Sequence, residues 1–373
     1  MQKSLSALFS RYIIDGVQQE LTPAQILESV RSPYAPAPQA PEGMPGRIVD
    51  ESADPGISAV QTDPAKMDKY LAKVLAADRK ASIAFPAEVT RIQIEKALTD
   101  CIWRMGSFRI GDLCLDASWT WNSRTIGNMA GLYASVQATG DFLDALGICL
   151  RYCSEAPGPC GVSFTADLRP GLDEDSLVER PFGSERPRLG AASLPGTLIP
   201  DPKSWIVYIP FDTSDYRLGG SVLAQALRIK PAVAPAVNDP DYFLDCYEVV
   251  RELVEDGILL SGATVSDGGL ITALKGMTSL RTGAQIDLTD LRRATGEDDP
   301  VRLLFAEVPG VLVQIRDLDF DYIDAELLLQ DVAFYPLGHP AGGGDITLLS
   351  SSRSGIQNIL ESLLRRQGGE GED

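Results

Sequence analysis

The sequence predicts a two-domain protein of mixed α+β to α/β class, and three observations carry that prediction. Trp205-Ile206-Val207-Tyr208-Ile209 and Val311-Leu312-Val313-Gln314-Ile315 are short apolar runs suited to strands of a sheet covered by other layers. Apolar residues recur at helical spacing in separate segments of both halves. A proline- and charge-rich stretch, about residues 169–196, stands between those halves. With 373 residues, 44% of them hydrophobic and 23% charged, the chain has enough apolar side chain for two cores.

Residues 1–46 read as an N-terminal arm and linker. Lys3 and Arg11 are the only charges before Asp15, and Leu5, Leu8, Phe9 and Tyr12 fall near one helical face. That pattern fits a short core-capping helix or an organellar presequence. Pro33, Pro36, Pro38, Pro41 and Pro45 exclude a regular element and mark a linker. The first domain, residues 47–200, opens with Asp63-Pro64, a cap followed by proline at the first helical position. Met67, Leu71, Val74 and Leu75 form the buried stripe of that helix. A second helix follows Pro86 through Ile94, Ala97, Leu98 and Cys101, and a third runs from Asn128 through Leu132, Val136, Leu143 and Leu146 to a stop at Gly147. The second domain, residues 201–350, holds the two apolar strands and a helix capped by Asp239-Pro240. Phe243, Tyr247, Val250 and Val254 of that helix face inward, and Gly257 ends it. Ser266-Asp267-Gly268-Gly269-Leu270 reads as a tight turn opening a further helix. Glycines there let backbone approach a ligand, and a helix N-terminus presents free N–H groups to an anion. Residues 351–373 carry a last helix, with Ile356, Ile359, Leu360, Leu363 and Leu364, and an acidic glycine-rich tail expected to be disordered.

A formal charge of -19 argues against nucleic acid or an anionic membrane as partner, because phosphate recognition rests on basic surface. Neutral or basic protein surface suits the chain better. No apolar run reaches the length of a membrane span, and no signal core precedes a small-residue cleavage site. The expectation is an intracellular protein, with cytoplasm and organelle both open. The six cysteines, at 101, 114, 149, 153, 160 and 246, lack zinc-site spacing and read mostly as buried small hydrophobes in reduced form. The single histidine, His339, stands beside proline and a glycine run and is assigned to a surface turn. No nucleophile elbow surrounds any cysteine, so a cysteine–histidine glutaminase site is not expected.

Several short segments stand in one order: Ala97-Leu98-Thr99-Asp100, Ile110-Gly111-Asp112, Leu115 with Ala117-Ser118-Trp119, Gly131-Leu132-Tyr133 with Val136, Leu146-Gly147-Ile148, Leu218-Gly219-Gly220-Ser221 with Leu223-Ala224-Gln225, Ser266-Asp267-Gly268-Gly269, and Leu304-Phe305-Ala306-Glu307. Together they resemble the phosphoribosylformylglycinamidine synthase family, and within it the second of two repeated units related to aminoimidazole ribonucleotide synthetase. The resemblance spans about residues 45–350. It implies a two-domain synthetase-like unit whose N-terminal sheet pairs with a partner unit, as a homodimer or heteromeric pseudo-dimer. It also implies a nucleotide site bridged by magnesium, an ion that needs hard oxygen donors.

At the positions where the resemblance implies those donors, this chain departs from the family. Ile57 replaces an acid, Lys96 replaces a glutamate, and Ala263-Thr264 replaces a His-Asp pair. Where the family carries Gly-Lys-Asp-Ser, this chain has Cys153-Ser154-Glu155-Ala156. Asp100 stands for an asparagine and could still ligate; it could also pair with Lys96 one helical turn away, worth roughly a few tenths of a kcal/mol if exposed. The degenerate positions are therefore Ile57, Lys96, Asp100, Ser154, Ala263 and Thr264. The expectation is a non-catalytic unit serving as a structural or scaffold subunit, with no catalytic residue, no metal and no cofactor. The alternative is a working half of a split, ATP-dependent synthase, binding ATP or ADP with magnesium and completed by another chain. A small-ligand sensor using the leftover cleft is a third class.

Overall fold

The computed structural model describes residues 7–33, 35, 48–51, 62–79, 84–105, 108–122, 124–125, 127–169, 194–229 and 233–349. Most of the proline-rich linker, Ile57, the 351–373 helix and tail, and Lys3 and Leu5 lie outside the described residues.

Within the described part of the arm, Arg11–Ile14 and Val17–Gln18 are strands, so Tyr12 stands in a strand and not on the helical face expected of it. Strand β1 (Arg11–Ile14) turns through Asp15 and Gly16, at φ of 51° and 80°, into β2 (Val17–Gln18). A left-handed Asp-Gly pair reverses the chain and cannot continue a helix. Helix α1 (Pro23–Ser29) begins at Thr22, whose hydroxyl and Gln25 make a reciprocal capping box. Strand β3 (Ile48–Glu51) then pairs parallel to β1.

Asp63 caps a single 3-10 turn ahead of α2 (Met67–Leu75), and α3 (Pro86–Met105) follows. Next come β4 (Leu113–Trp121), α4 (Asn128–Leu146), β5 (Cys149–Pro157) and β6 (Gly161–Leu168). Gly147, at φ 66°, ends α4 by bonding back to the carbonyls of Leu143 and Asp144, as its sequence position predicts. The three strands form a sheet in the order β5-β4-β6, packed on α3 and α4. Trp119 on β4 is fully buried, and its indole N–H donates to Ser135 of α4 at 3.0 Å. The arm is sewn to β5: the Leu150 N–H donates to Val30 and the Leu150 carbonyl accepts from Ser32, each at 2.7 Å. Glu155 accepts from the N–H groups of Ala7, at 3.0 Å, and Leu8, at 3.2 Å.

The second half contains β7 (Trp205–Pro210), α5 (Val222–Leu227), α6 (Pro240–Glu255), β8 (Leu259–Val265), α7 (Gly269–Met277), β9 (Thr282–Ile286), α8 (Thr289–Thr295), α9 (Pro300–Phe305), β10 (Gly310–Ile315), α10 (Phe320–Leu329), β11 (Tyr335–Gly342) and β12 (Ile346–Leu348). Its sheet runs β12-β9-β11-β7-β10-β8, antiparallel throughout except between β12 and β9. His339 lies in β11, not in a surface turn. Its imidazole packs against Trp205, tilted by 50° at 4.1 Å between ring centres, and Nδ1 lies 2.9 Å from the Ser204 carbonyl oxygen. The prolines and glycines around it are tolerated because β11 shifts register between Pro336 and Gly338.

Strands β7 and β10 are covered on both faces. Val207, Ile209, Val311 and Val313 join the core that contains Leu98 and Trp119, so this core runs from one half of the chain into the other. Ile206, Tyr208 and Leu312 face a second core with α7 and α9. Helix α2, although it precedes the first sheet in sequence, packs into that second core, with Tyr70 edge-on to Phe305 at 6.3 Å. Cys101, Cys114 and Cys246 are buried; Cys149, Cys153 and Cys160 are half-buried.

Candidate functional site

The turn predicted at Ser266-Asp267-Gly268-Gly269 joins β8 to α7. Gly268 and Gly269 sit at φ of 77° and 75°, where side chains are strained. A Cβ on Gly269 would lie 2.6 Å from the Leu304 carbonyl oxygen and 2.8 Å from the Phe305 carbonyl carbon. The glycine thus admits the chain's own backbone at the end of α9. The other double-glycine segment behaves alike, since a Cβ on Gly219 would meet the Val233 carbonyl oxygen at 2.4 Å. Ser221, after it, caps α5 by accepting from the Ala224 N–H at 3.2 Å.

Two carboxylates meet at the turn. Oε1 of Glu307 accepts from the N–H groups of Val222, at 2.7 Å, and Gly268, at 2.8 Å, tying the start of α5 to the turn. Its Oε2 lies 2.5 Å from Nη1 of Arg79, and the same nitrogen lies 2.5 Å from Oδ1 of Asp267. Gln93 and Lys96, both on α3, donate to the two oxygens of Asp267 at 2.9 and 2.7 Å. Two anions and two cations close on one another, so the cluster sums to zero formal charge. Burial alone would raise Asp267, but Arg79 and Lys96 outweigh it and hold the carboxyl below the usual aspartate value. Burial pushes Glu307 up, with Arg79 opposing.

Of the sequence-predicted positions, Lys96 belongs to this cluster and Asp100 lies beside it, bonded to Thr264; Ala263 on β8 packs on the second core, and Ser154 does not join the cluster. Lys96 reaches across to Asp267 rather than pairing with Asp100. Its ammonium makes a charge-assisted bond with Asp267 at 2.7 Å. Asp100 is half-buried, and burial raises its pKa against the hydrogen bond from Thr264. Trp103 fills the space beside Thr264. Its indole N–H donates to the Thr264 hydroxyl at 3.0 Å, and its ring lies where a Cβ on Gly262 would come within 2.6 Å. Ser154 is on β5, donating to Ser118 of β4 at 3.2 Å, in the other sheet. Arg79 and Gln93 were not singled out by sequence. Arg79 lies 228 positions from Glu307, and no local pattern marks it.

Asp267 and Glu307 carry the hard oxygens magnesium requires. Their oxygens are nonetheless turned to Arg79, Lys96, Gln93 and backbone N–H groups, and a divalent ion would sit against two cations. The residues do not fit a bound metal. Among the described residues no group of three or more His, Cys, Asp or Glu side chains suits a metal ion.

No protein-family model matches the chain. It is similar to human phosphoribosylformylglycinamidine synthase, 25% identical over 282 residues that cover 75% of this chain and 20% of that protein. It is also similar to a probable phosphoribosylformylglycinamidine synthase, chloroplastic/mitochondrial, of Arabidopsis thaliana, 22% identical over 74% of this chain and 19% of that one. The chain therefore spans about a fifth of the length of these relatives. Among solved structures, Thermotoga maritima PurL complexed with FGAR superposes with a TM-score of 0.51 at 13% identity, over 73% of this chain and 42% of that one, which establishes the shared fold.

Proposed function

We propose that this chain, a divergent relative of phosphoribosylformylglycinamidine synthase, is a non-catalytic unit that serves as a structural or scaffold subunit of a protein assembly. One observation carries the reading: Arg79 and Lys96 engage the oxygens of Asp267 and Glu307 from within the chain, so these oxygens are turned away from any metal–phosphate group. Glycine turns filled by the chain's own backbone at Leu304 and Val233, and Trp103 seated on Thr264, support it further. On this reading the fold is kept while the nucleotide site is lost.

We assign the partner contact to the three-stranded sheet of the first half. The arm already covers β5 at Leu150, whereas β6 is an edge whose Ser163 and Thr165 are exposed, the geometry by which a second sheet is added. The nucleotide question is decided by thermal unfolding with and without millimolar ATP or ADP and magnesium. No shift in Tm is expected, since a ligand that does not bind the native state cannot stabilise it. A magnesium-dependent rise of several degrees would overturn the proposal and favour a working half of a split synthase.

A further inference from the structure

Helix α10 is anchored by Ile323 and Leu327, which are 1% and 0% exposed. The face turned away from them is apolar as well. Tyr322, Ala325 and Leu329 follow one another at spacings of three and four residues along one side of α10, and Leu318, in the 3-10 turn Asp317–Asp319 that leads into the helix, stands ahead of them. Leu318 is 91% exposed, Tyr322 49% and Leu329 80%, with Leu328 beside them at 76%. A helix in water has no reason of its own stability to carry such a line, and contiguous apolar surface of this kind marks an interface.

The charge around the line is predominantly negative. Residues 317–331 contain Asp317, Asp319, Asp321, Asp324, Glu326 and Asp331 and no lysine, arginine or histidine. Asp317 accepts from the Trp205 indole and Asp319 pairs with Arg316. Among the described residues no cation pairs with Asp321, Asp324 or Glu326. The neighbouring end of α6 adds Asp256, and Glu252, which is paired with Arg251 at 3.2 Å. Burial, and then the carboxylates of Glu326, Asp256 and Glu252, push the Tyr322 phenol up. Another copy of this chain, at a formal charge of -19, or an anionic bilayer would be repelled from such a surface.

We infer that the exposed face of α10 is a docking surface for a cationic amphipathic helix of a protein partner, whose apolar side chains would lie along Leu318, Tyr322 and Leu329 while its lysines or arginines meet the flanking acids. The line is about 16 Å long, three turns of helix, which suits a helix-on-helix contact anchored at matching spacing. The inference rests on the assembly-subunit reading but not on the loss of the nucleotide site, so the nucleotide test above can fail without touching it.

The probe is a fluorescein-labelled eighteen-residue peptide of leucine and lysine with leucines at helical spacing, titrated with the full chain and read by anisotropy. Two controls are a scrambled peptide of the same composition and a leucine–glutamate peptide of the same pattern. Saturable one-to-one binding of the patterned lysine peptide alone is expected, falling with added salt and at least ten-fold weaker for the double variant Leu318→Ser/Leu329→Ser. All variants lie at exposed positions, and an unchanged Tm confirms that they fold. Leu280→Ser, at an isolated leucine 98% exposed, leaves binding unchanged. Absence of binding, equal binding of the scrambled peptide, or equal binding by the double variant would each overturn the inference.

Discussion

Glu95, one residue from Lys96 on α3, shows how a single side chain can set a pH response. It is 1% exposed, and among the described residues neither carboxylate oxygen has a hydrogen-bond partner. Asp212, 3% exposed, lies near it, its Oδ2 likewise without a partner among the described residues. Arg91 is spent on the Val237 carbonyl, at 3.1 Å, and on Asn238, at 2.5 Å. Burial first, and the Asp212 charge second, raise the Glu95 pKa well above the ordinary 4.5. A carboxyl raised on folding binds more protons in the native state than in the unfolded one above that value, so its stabilising contribution is present at low pH and lost as pH rises. Asp267 acts in the opposite sense. Its carboxyl is held below 3.8, so its contribution is present above that value and lost on acidification. Glu95→Gln is therefore expected to raise Tm at pH 8 and to flatten the fall of Tm with rising pH above 4.5, measured by calorimetry across pH 5–9. A variant less stable than the parent at pH 8, with the same slope, would refute the assignment.

At the scale of elements, the junction of β8, α7 and α9 depends on backbone approaching backbone. Gly269 combines a positive φ of 75° with contacts of 2.6 and 2.8 Å waiting for any Cβ, both from main-chain atoms that cannot rotate away. Gly269→Ala must therefore part α7 from α9 or strain the turn, at a cost of about 1–3 kcal/mol for the dihedral alone and more for the clash. Gly257, also at positive φ, has nothing within 4 Å of its Cβ position. Gly257→Ala should cost only the dihedral, of order 1 kcal/mol. Urea unfolding of the two variants separates these cases, and equal losses would show that the turn yields freely. Elements that announced themselves in sequence did so through local chemistry: Asp239 ahead of Pro240, Gly147 after α4, and the apolar runs of β7 and β10. The arm strands, β8, β11 and the residues that close the site did not. β11 has the composition of a turn, Tyr335-Pro336-Leu337-Gly338-His339-Pro340, and becomes a strand because Gly338 lets β9 approach: a Cβ there would lie 2.1 Å from the Gln285 carbonyl oxygen. The glycine turn and Lys96 were legible because each stands in a short recognisable segment. Arg79 was not, since what defines it is a contact made across the whole chain.

The whole molecule is organised around the two faces of β7 and β10. One face belongs to a core that continues into α3, α4 and β4, and the other to a core shared with α2, an element from the opposite half of the sequence. The proline- and charge-rich stretch at 169–196 marks a boundary in composition, yet apolar packing crosses it in both directions. Phe211, 0% exposed, stacks edge-on to Phe243 at 5.6 Å within the continuous core, and the Tyr247 hydroxyl on α6 donates to the Phe108 carbonyl of the first half at 3.1 Å. Halves joined through buried aromatic side chains share their unfolding free energy, whereas halves joined only by a linker unfold one at a time. The four tryptophans report on both sides, three of them in the first half and Trp205 in the second. Phe211→Ala is expected to cost about 3–5 kcal/mol as a buried large-to-small change. It should shift the urea midpoint by the same amount whether unfolding is followed through Trp205 alone, with the other three replaced by phenylalanine, or through the first-half tryptophans with Trp205 replaced. Midpoints that separate, with only the Trp205 signal moving, would show that the two halves fold independently.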